Sequence, residues 1–184
     1  LPETWHQMGL FAGSKRIGHD GYEFMGKLYT QRIDDWLQGI PVYFYVVFTW
    51  VKLPLLSVIG FLIGLPLLFR RKLGDGRYFV IFWLFLWAIA FCFPGGKFTR
   101  YYTTVLPAVL ITAALGIQFA GRTLARRIAK IAWGTGVRHY VPACLAVLAI
   151  GCAVVDSIYA GPHFRLFTNS LGGGMAHAGT YFPH

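Results

Sequence analysis

Phe93-Pro94-Gly95-Gly96-Lys97-Phe98-Thr99-Arg100-Tyr101-Tyr102 joins two long apolar runs. Pro94 lacks the N–H a helix needs, and the two glycines that follow favour a turn. Tyr78–Cys92 upstream is apolar throughout, and Thr103–Ala120 downstream is nearly so. The spacing predicts a helical hairpin whose tip carries two cations, Lys97 and Arg100, beside Tyr101 and Tyr102. Two readings of that tip stay open. It can seat an anionic headgroup. Alternatively, the cations snorkel and the tyrosines belong to an interfacial belt.

Composition supports the helical hairpin. The 184 residues are 56% hydrophobic, 17% aromatic and 13% charged, with a mean hydropathy of +0.54. Soluble domains carry about 25% charged residues, so the composition is that of a membrane protein. The net charge of +10 does not point to nucleic acid: the cations fall in the gaps between apolar runs, and no nucleic-acid-binding motif is present. Orientation and contact with membrane lipids account for them. Cys92, Cys144 and Cys152 all lie in apolar runs and are expected as buried free thiols. The six histidines never pair at metal-ligand spacing.

The other apolar blocks extend this pattern on both sides. Ile40–Phe69 divides at Lys52-Leu53-Pro54, an aromatic half (Pro41–Val51) preceding an aliphatic one. Leu53–Phe69 rises about 25 Å, short of a crossing, so an interfacial helix running into a kinked crossing is expected. Tyr101–Ala120 holds Pro107 in its first third. Arg122, Arg126 and Lys130 recur at i, i+4 and predict an amphipathic helix on an anionic leaflet. Tyr140–Tyr159 carries Ala146, Ala149, Gly151 and Ala153, small residues suited to close helix packing.

The expected class is therefore an all-α membrane protein. Residues 40–160 form its transmembrane region, with about four crossings near 42–69, 78–93, 101–120 and 139–159, plus interfacial helices. Residues 1–39 are read as a glycine-rich segment against the membrane face, with a short helix over Tyr22–Gln38, and 161–184 as a polar tail. The turn at 70–77 holds four Lys or Arg and 122–138 holds five; the tip at 95–100 holds two and the tail one. The positive-inside rule places the first two loops in the cytoplasm. The tip and both ends then face outward. Crossings almost free of ionisable residues argue against a transporter. The chain begins at Leu1 and ends at His184; a piece of a longer protein, or a processed chain, is expected.

On that outer face the best-placed cations are Lys97, Arg100 and Lys27. His19, Tyr22, Tyr101 and Tyr102 are the available hydrogen-bonding groups. Cations near a phosphate leaving group stabilise charge that develops during transfer. Asp20 and Glu23, three residues apart, have the chemistry of a metal ligand pair or a base, or of a solvated loop. No serine has His and Asp in a hydrolase pattern, and no catalytic pair or metal set is recognisable.

These residues resemble a family. Gly18-His19-Asp20-Gly21-Tyr22-Glu23-Phe24-Met25-Gly26-Lys27 is similar to a segment in the large outer loop of protein O-mannosyltransferase-like, family 39 glycosyltransferases of the GT-C superfamily. Pro41-Val42-Tyr43-Phe44-Tyr45 and Val51-Lys52-Leu53-Pro54-Leu55 resemble that family's re-entry into the membrane. Gly96-Lys97-Phe98-Thr99-Arg100-Tyr101 resembles its cationic hairpin. Leu171-Gly172-Gly173-Gly174 and Thr180-Tyr181-Phe182-Pro183-His184 are similar to a tail in bacterial members. The resemblance implies the C-terminal part of a GT-C-like fold in a bacterial cytoplasmic membrane. The family transfers a sugar from a polyprenyl-phosphate donor to an acceptor at the outer face. Lys97, Arg100 and Tyr101 would then contact the donor phosphate, and His19, Tyr22 and Lys27 would shape the cavity. The family's catalytic Asp lies in a first outer loop that no stretch here matches, and Asp20 does not inherit its role. The resemblance leaves room for a divalent metal in the complete enzyme. The alternative is a non-catalytic subunit or lipid-binding scaffold among other membrane chains.

Overall fold

The computed structural model describes residues 16–32, 36–70, 74–131, 140–161, 163 and 167–182, with backbone alone at 16–20 and 130–131. It is mostly helical, and the exception comes first. β1 (Arg16–Phe24) and β2 (Lys27–Arg32) form an antiparallel hairpin in which Tyr22 faces Tyr29 and Phe24 faces Lys27. The helix expected over Tyr22–Gln38 does not form. Met25 and Gly26 both take positive φ, 53° and 73°, the pair of conformations that closes a two-residue hairpin. Burial then alternates along the strand, with Phe24 and Gln31 inside and Glu23 and Thr30 outside, which is the period of a strand and not of a helix.

The block at 40–69 divides where Pro54 sits. α1 (Phe44–Lys52) stops at an extended Leu53, and α2 (Leu55–Leu67) starts immediately after Pro54. A residue before proline is pushed out of the helical region, and proline suits a helix start. α3 spans Gly76–Cys92. The tip follows, with Thr99–Thr104 wound as a 3-10 turn, and then α4 (Leu106–Ile131). Tyr101 thus lies before the helix, not in it. Pro107 sits in the first turn of α4, where no hydrogen bond is lost, so it makes no mid-helix break. α4 also runs past Ala120 without interruption. The expected separate amphipathic helix is its last three turns, with Arg122, Arg126 and Arg127 exposed and Gly121 and Ala125 buried; Lys130 lies where only backbone is described, and Arg138 falls outside the described residues. α5 spans Val141–Ala160. The tail ends in two short 3-10 turns and α6 (Ala178–Tyr181).

Two of these helices, α4 and α5, are long and apolar enough to cross a membrane; α2 and α3, at 13 and 17 residues, are shorter apolar helices. The tightest seam joins α2 to α4. Gly60 and Gly64, one turn apart, face Thr112, Ala113 and Gly116. A Cβ on Gly64 would lie 1.9 Å from the Thr112 carbonyl oxygen, and one on Gly116 equally close to that of Gly60. Small residues at this spacing let two backbones touch. The seam expected on α5 is different: Ala149 is buried, but Ala146 and Gly151 are exposed. α5 is held instead through Pro142, which packs against Gly121 of α4.

Above these helices, the hairpin, α1, the tip and the tail close on one aromatic core. Phe44 packs on Phe24, Tyr45 and Phe182 at 4.9–5.2 Å between ring centres. Tyr45 meets Trp87 at 4.8 Å, and Phe48 meets Tyr102 at the same distance. The tail is pinned by one residue. Asn169 Nδ2 donates to the carbonyls of Trp50 and Leu53, both at 2.7 Å, and its backbone N–H donates to Val51 O at 2.9 Å. Those carbonyls are left without partners by the break at Pro54. The tail supplies the missing donors.

Candidate functional site: the aromatic head and its tip

The tip is built against the turns at 36–43 that lead into α1. Leu37 N–H donates to Phe93 O, and Ile40 N–H to Gly95 O. Between them Gly39 takes φ +72°, and a Cβ there would lie 2.7 Å from Thr30 O, so only glycine permits the approach. Gln31 Nε2 donates to Lys97 O at 2.8 Å. Tyr45 Oη donates to Phe98 O at 2.9 Å and accepts from Phe98 N–H at 3.3 Å. Trp87 Nε1 holds the next turn, 2.8 Å from Thr104 Oγ1.

This scaffold turns the two cations of the tip in opposite directions. Lys97 has no exposed surface. Its ammonium donates to Ile40 O and Pro94 O, both at 2.6 Å, and burial pulls its pKa down to about 8. It nails the tip to the chain entering α1 and presents no atom to a ligand in this arrangement. Arg100 is exposed. Its guanidinium carbon lies 4.5 Å from the Phe98 ring centre and 5.6 Å from that of Tyr101. Two rings hold a fork that makes no ion pair and no side-chain hydrogen bond among the described residues. A stacked guanidinium keeps its in-plane N–H groups for an anion.

The remaining expected site residues are spread over the head. Tyr101 is half-buried between Phe91 and Phe98. Tyr22 stands edge-on to Phe44, and burial pushes its hydroxyl up to about 12, so it serves as a neutral hydrogen-bonding group. Lys27 is exposed at the hairpin turn, 5.3 Å from the Tyr29 ring centre. His19 and Asp20 lie on β1, where only backbone is described. Glu23 is exposed and points away from Phe24. Among the described residues no group of three His, Cys, Asp or Glu could hold a metal. All three cysteines are free, but none is fully buried: Cys92 and Cys152 are half-buried and Cys144 is exposed on α5.

Asn169 and Gly39 carry as much of the head as any residue singled out from the sequence. The Asn169 contacts span more than 110 residues, and no local pattern announces them. Gly39 follows Gln38 and precedes Ile40-Pro41, a turn signal that was legible. Comparison with family models, with curated proteins and with solved structures finds no match to this chain.

Proposed function

We propose that this chain is the C-terminal membrane portion of a polyprenyl-phosphate-dependent glycosyltransferase of the family 39 type, acting at the outer face of a bacterial cytoplasmic membrane. In this reading α1 lies in the interface and α2, α3, α4 and α5 make the four crossings, with both ends of the chain outside. Arg100 takes the donor phosphate, and Tyr101 and Lys27 flank the approach. The observation that supports it is the Arg100 guanidinium, exposed and held between Phe98 and Tyr101 on a head that gathers the hairpin, the tip and the tail. A cation fixed in advance stabilises charge building on the phosphate as the sugar leaves, at little cost in reorganisation. Lys97 acts indirectly, by holding the tip.

One observation favours the second reading, a non-catalytic lipid-phosphate-binding subunit. Glu23 is the only acidic side chain described in the head, and it faces away from the core. No other acidic side chain described in the head offers a general base. The test is binding of a polyprenyl phosphate to the complete protein, together with sugar transfer from the corresponding donor. Arg100→Ala should weaken binding about tenfold or more, the scale of one charge-assisted hydrogen bond, and Arg100→Lys should recover part of it. Binding without transfer selects the subunit. Binding unchanged in Arg100→Ala removes the site.

A further inference from the structure

The opposite end of α3 holds a second arginine in a different state. Arg77 is 9% exposed. Its Nη2 donates to the Tyr78 hydroxyl at 2.7 Å, and the guanidinium carbon lies 4.5 Å from the Tyr78 ring centre. Its Nη1 is buried without any hydrogen-bond partner. A buried charged donor left unsatisfied is costly, and a fold keeps one where something else completes it.

The position says what that would be. Arg77 is the second residue of a 17-residue helix that begins at Gly76. Arg77 itself stands in the first turn, and its guanidinium lies over Tyr78 of the same turn. Tyr78 N–H donates to Asp75 O at 3.0 Å; the start of a helix otherwise leaves N–H groups without intrahelical carbonyls, and the helix dipole adds partial positive charge. Asp75 provides no side-chain cap, and the first turn holds no acidic residue. Arg70, Arg71 and Lys72 precede it in the chain. A guanidinium with one free edge beside a helix N-terminus fits an anion of phosphate geometry.

We propose that Arg77 and the first turn of α3 form a phosphate site, with the exposed Tyr78 ring swinging aside to admit it. The bound group is a phosphodiester of an anionic lipid headgroup or a free phosphate, and it requires no sugar-transfer chemistry. The experiment titrates the full chain in detergent with a short-chain phosphatidylglycerol, its phosphatidylcholine counterpart and inorganic phosphate, read by the shift in unfolding temperature. Phosphatidylglycerol alone stabilising the protein identifies a lipid headgroup; inorganic phosphate doing the same identifies a free phosphate. Arg77→Gln should weaken the effective ligand about tenfold to a hundredfold, whereas Arg32→Gln, at an exposed arginine of β2, should leave it unchanged. If Arg77→Gln does not fold, Arg77→Lys keeps the charge and loses the fork, and should show the same weakening. No stabilisation by any anion, or equal affinity in the Arg77 variants, overturns the site.

Discussion

The head and α5 both carry large apolar side chains and use them in opposite ways. In the head, Phe24, Phe44, Tyr45, Tyr102 and Phe182 are buried on one another, and polar side chains such as Gln31 and Asn169 are spent on carbonyls far away in sequence. On α5, Val147, Leu148, Ile150, Val154, Val155 and Ile158 are all exposed, and only Ala149 and Ala160 are buried. The head has a buried aromatic core, with apolar side chains such as Leu28, Leu37 and Val46 left on its surface. α5 has the outside of something whose solvent is apolar. The same residue types therefore carry different energetic weight in the two regions.

Paired substitutions sharpen that contrast. The largest effect is expected from Phe182→Ala, which removes a ring packed on Phe24, Phe44 and Phe48 and should cost about 3–5 kcal/mol. Its counterpart Leu148→Ala should fall within about 0.5 kcal/mol. Chemical unfolding in detergent checks both, and equal losses would erase the distinction. Next comes the α2–α4 seam. Gly64→Ala forces a methyl into the Thr112 carbonyl and should cost about 1–3 kcal/mol, while Gly151→Ala, with open space around it, should be neutral or slightly stabilising. Asn169→Ala leaves two buried carbonyls without donors and should cost about 1–3 kcal/mol. It should also expose the tail to proteolysis before the helices.

The last comparison is a pH dependence. The Lys97 amine has a pKa of about 8 in the folded chain against an ordinary value of 10.5. Between these values the unfolded chain binds more protons, so stability rises with pH across that window, and the cost of burying the charge is fully present below it. Lys97→Met should flatten this rise relative to the parent chain while leaving Ile40 O and Pro94 O unsatisfied. A rise of equal slope in the variant would mean that Lys97 does not cause it.

The sequence was most legible where a residue acts on its immediate neighbours. Pro54 separates α1 from α2, and Pro94 with the two glycines ends α3, as local backbone chemistry requires. The packing face, by contrast, was expected on Tyr140–Tyr159, whereas the close seam runs through Gly60 and Gly64, whose partners on α4 lie some fifty residues on. The hairpin was missed because the glycines and mixed charges around Tyr22 hid a short alternation that only Met25-Gly26 brings into register. Lys97 was misplaced for another reason. Its pattern beside Arg100 is that of a cationic tip, but the acceptor that draws it inward is the carbonyl of Ile40, 57 residues away. Side-chain direction at the tip was set by tertiary contacts, and the strip of sequence holds no record of them.

The most direct measurement is the sidedness of two single cysteines in a background with Cys92, Cys144 and Cys152 replaced by alanine. One is placed at Thr103, exposed beside the tip, and the other at Arg127, exposed at the far end of α4. In sealed right-side-out vesicles, an impermeant maleimide should label Thr103→Cys from outside and reach Arg127→Cys only after the membrane is opened. Labelling of both from the same side would contradict an outward head carried on membrane-crossing helices.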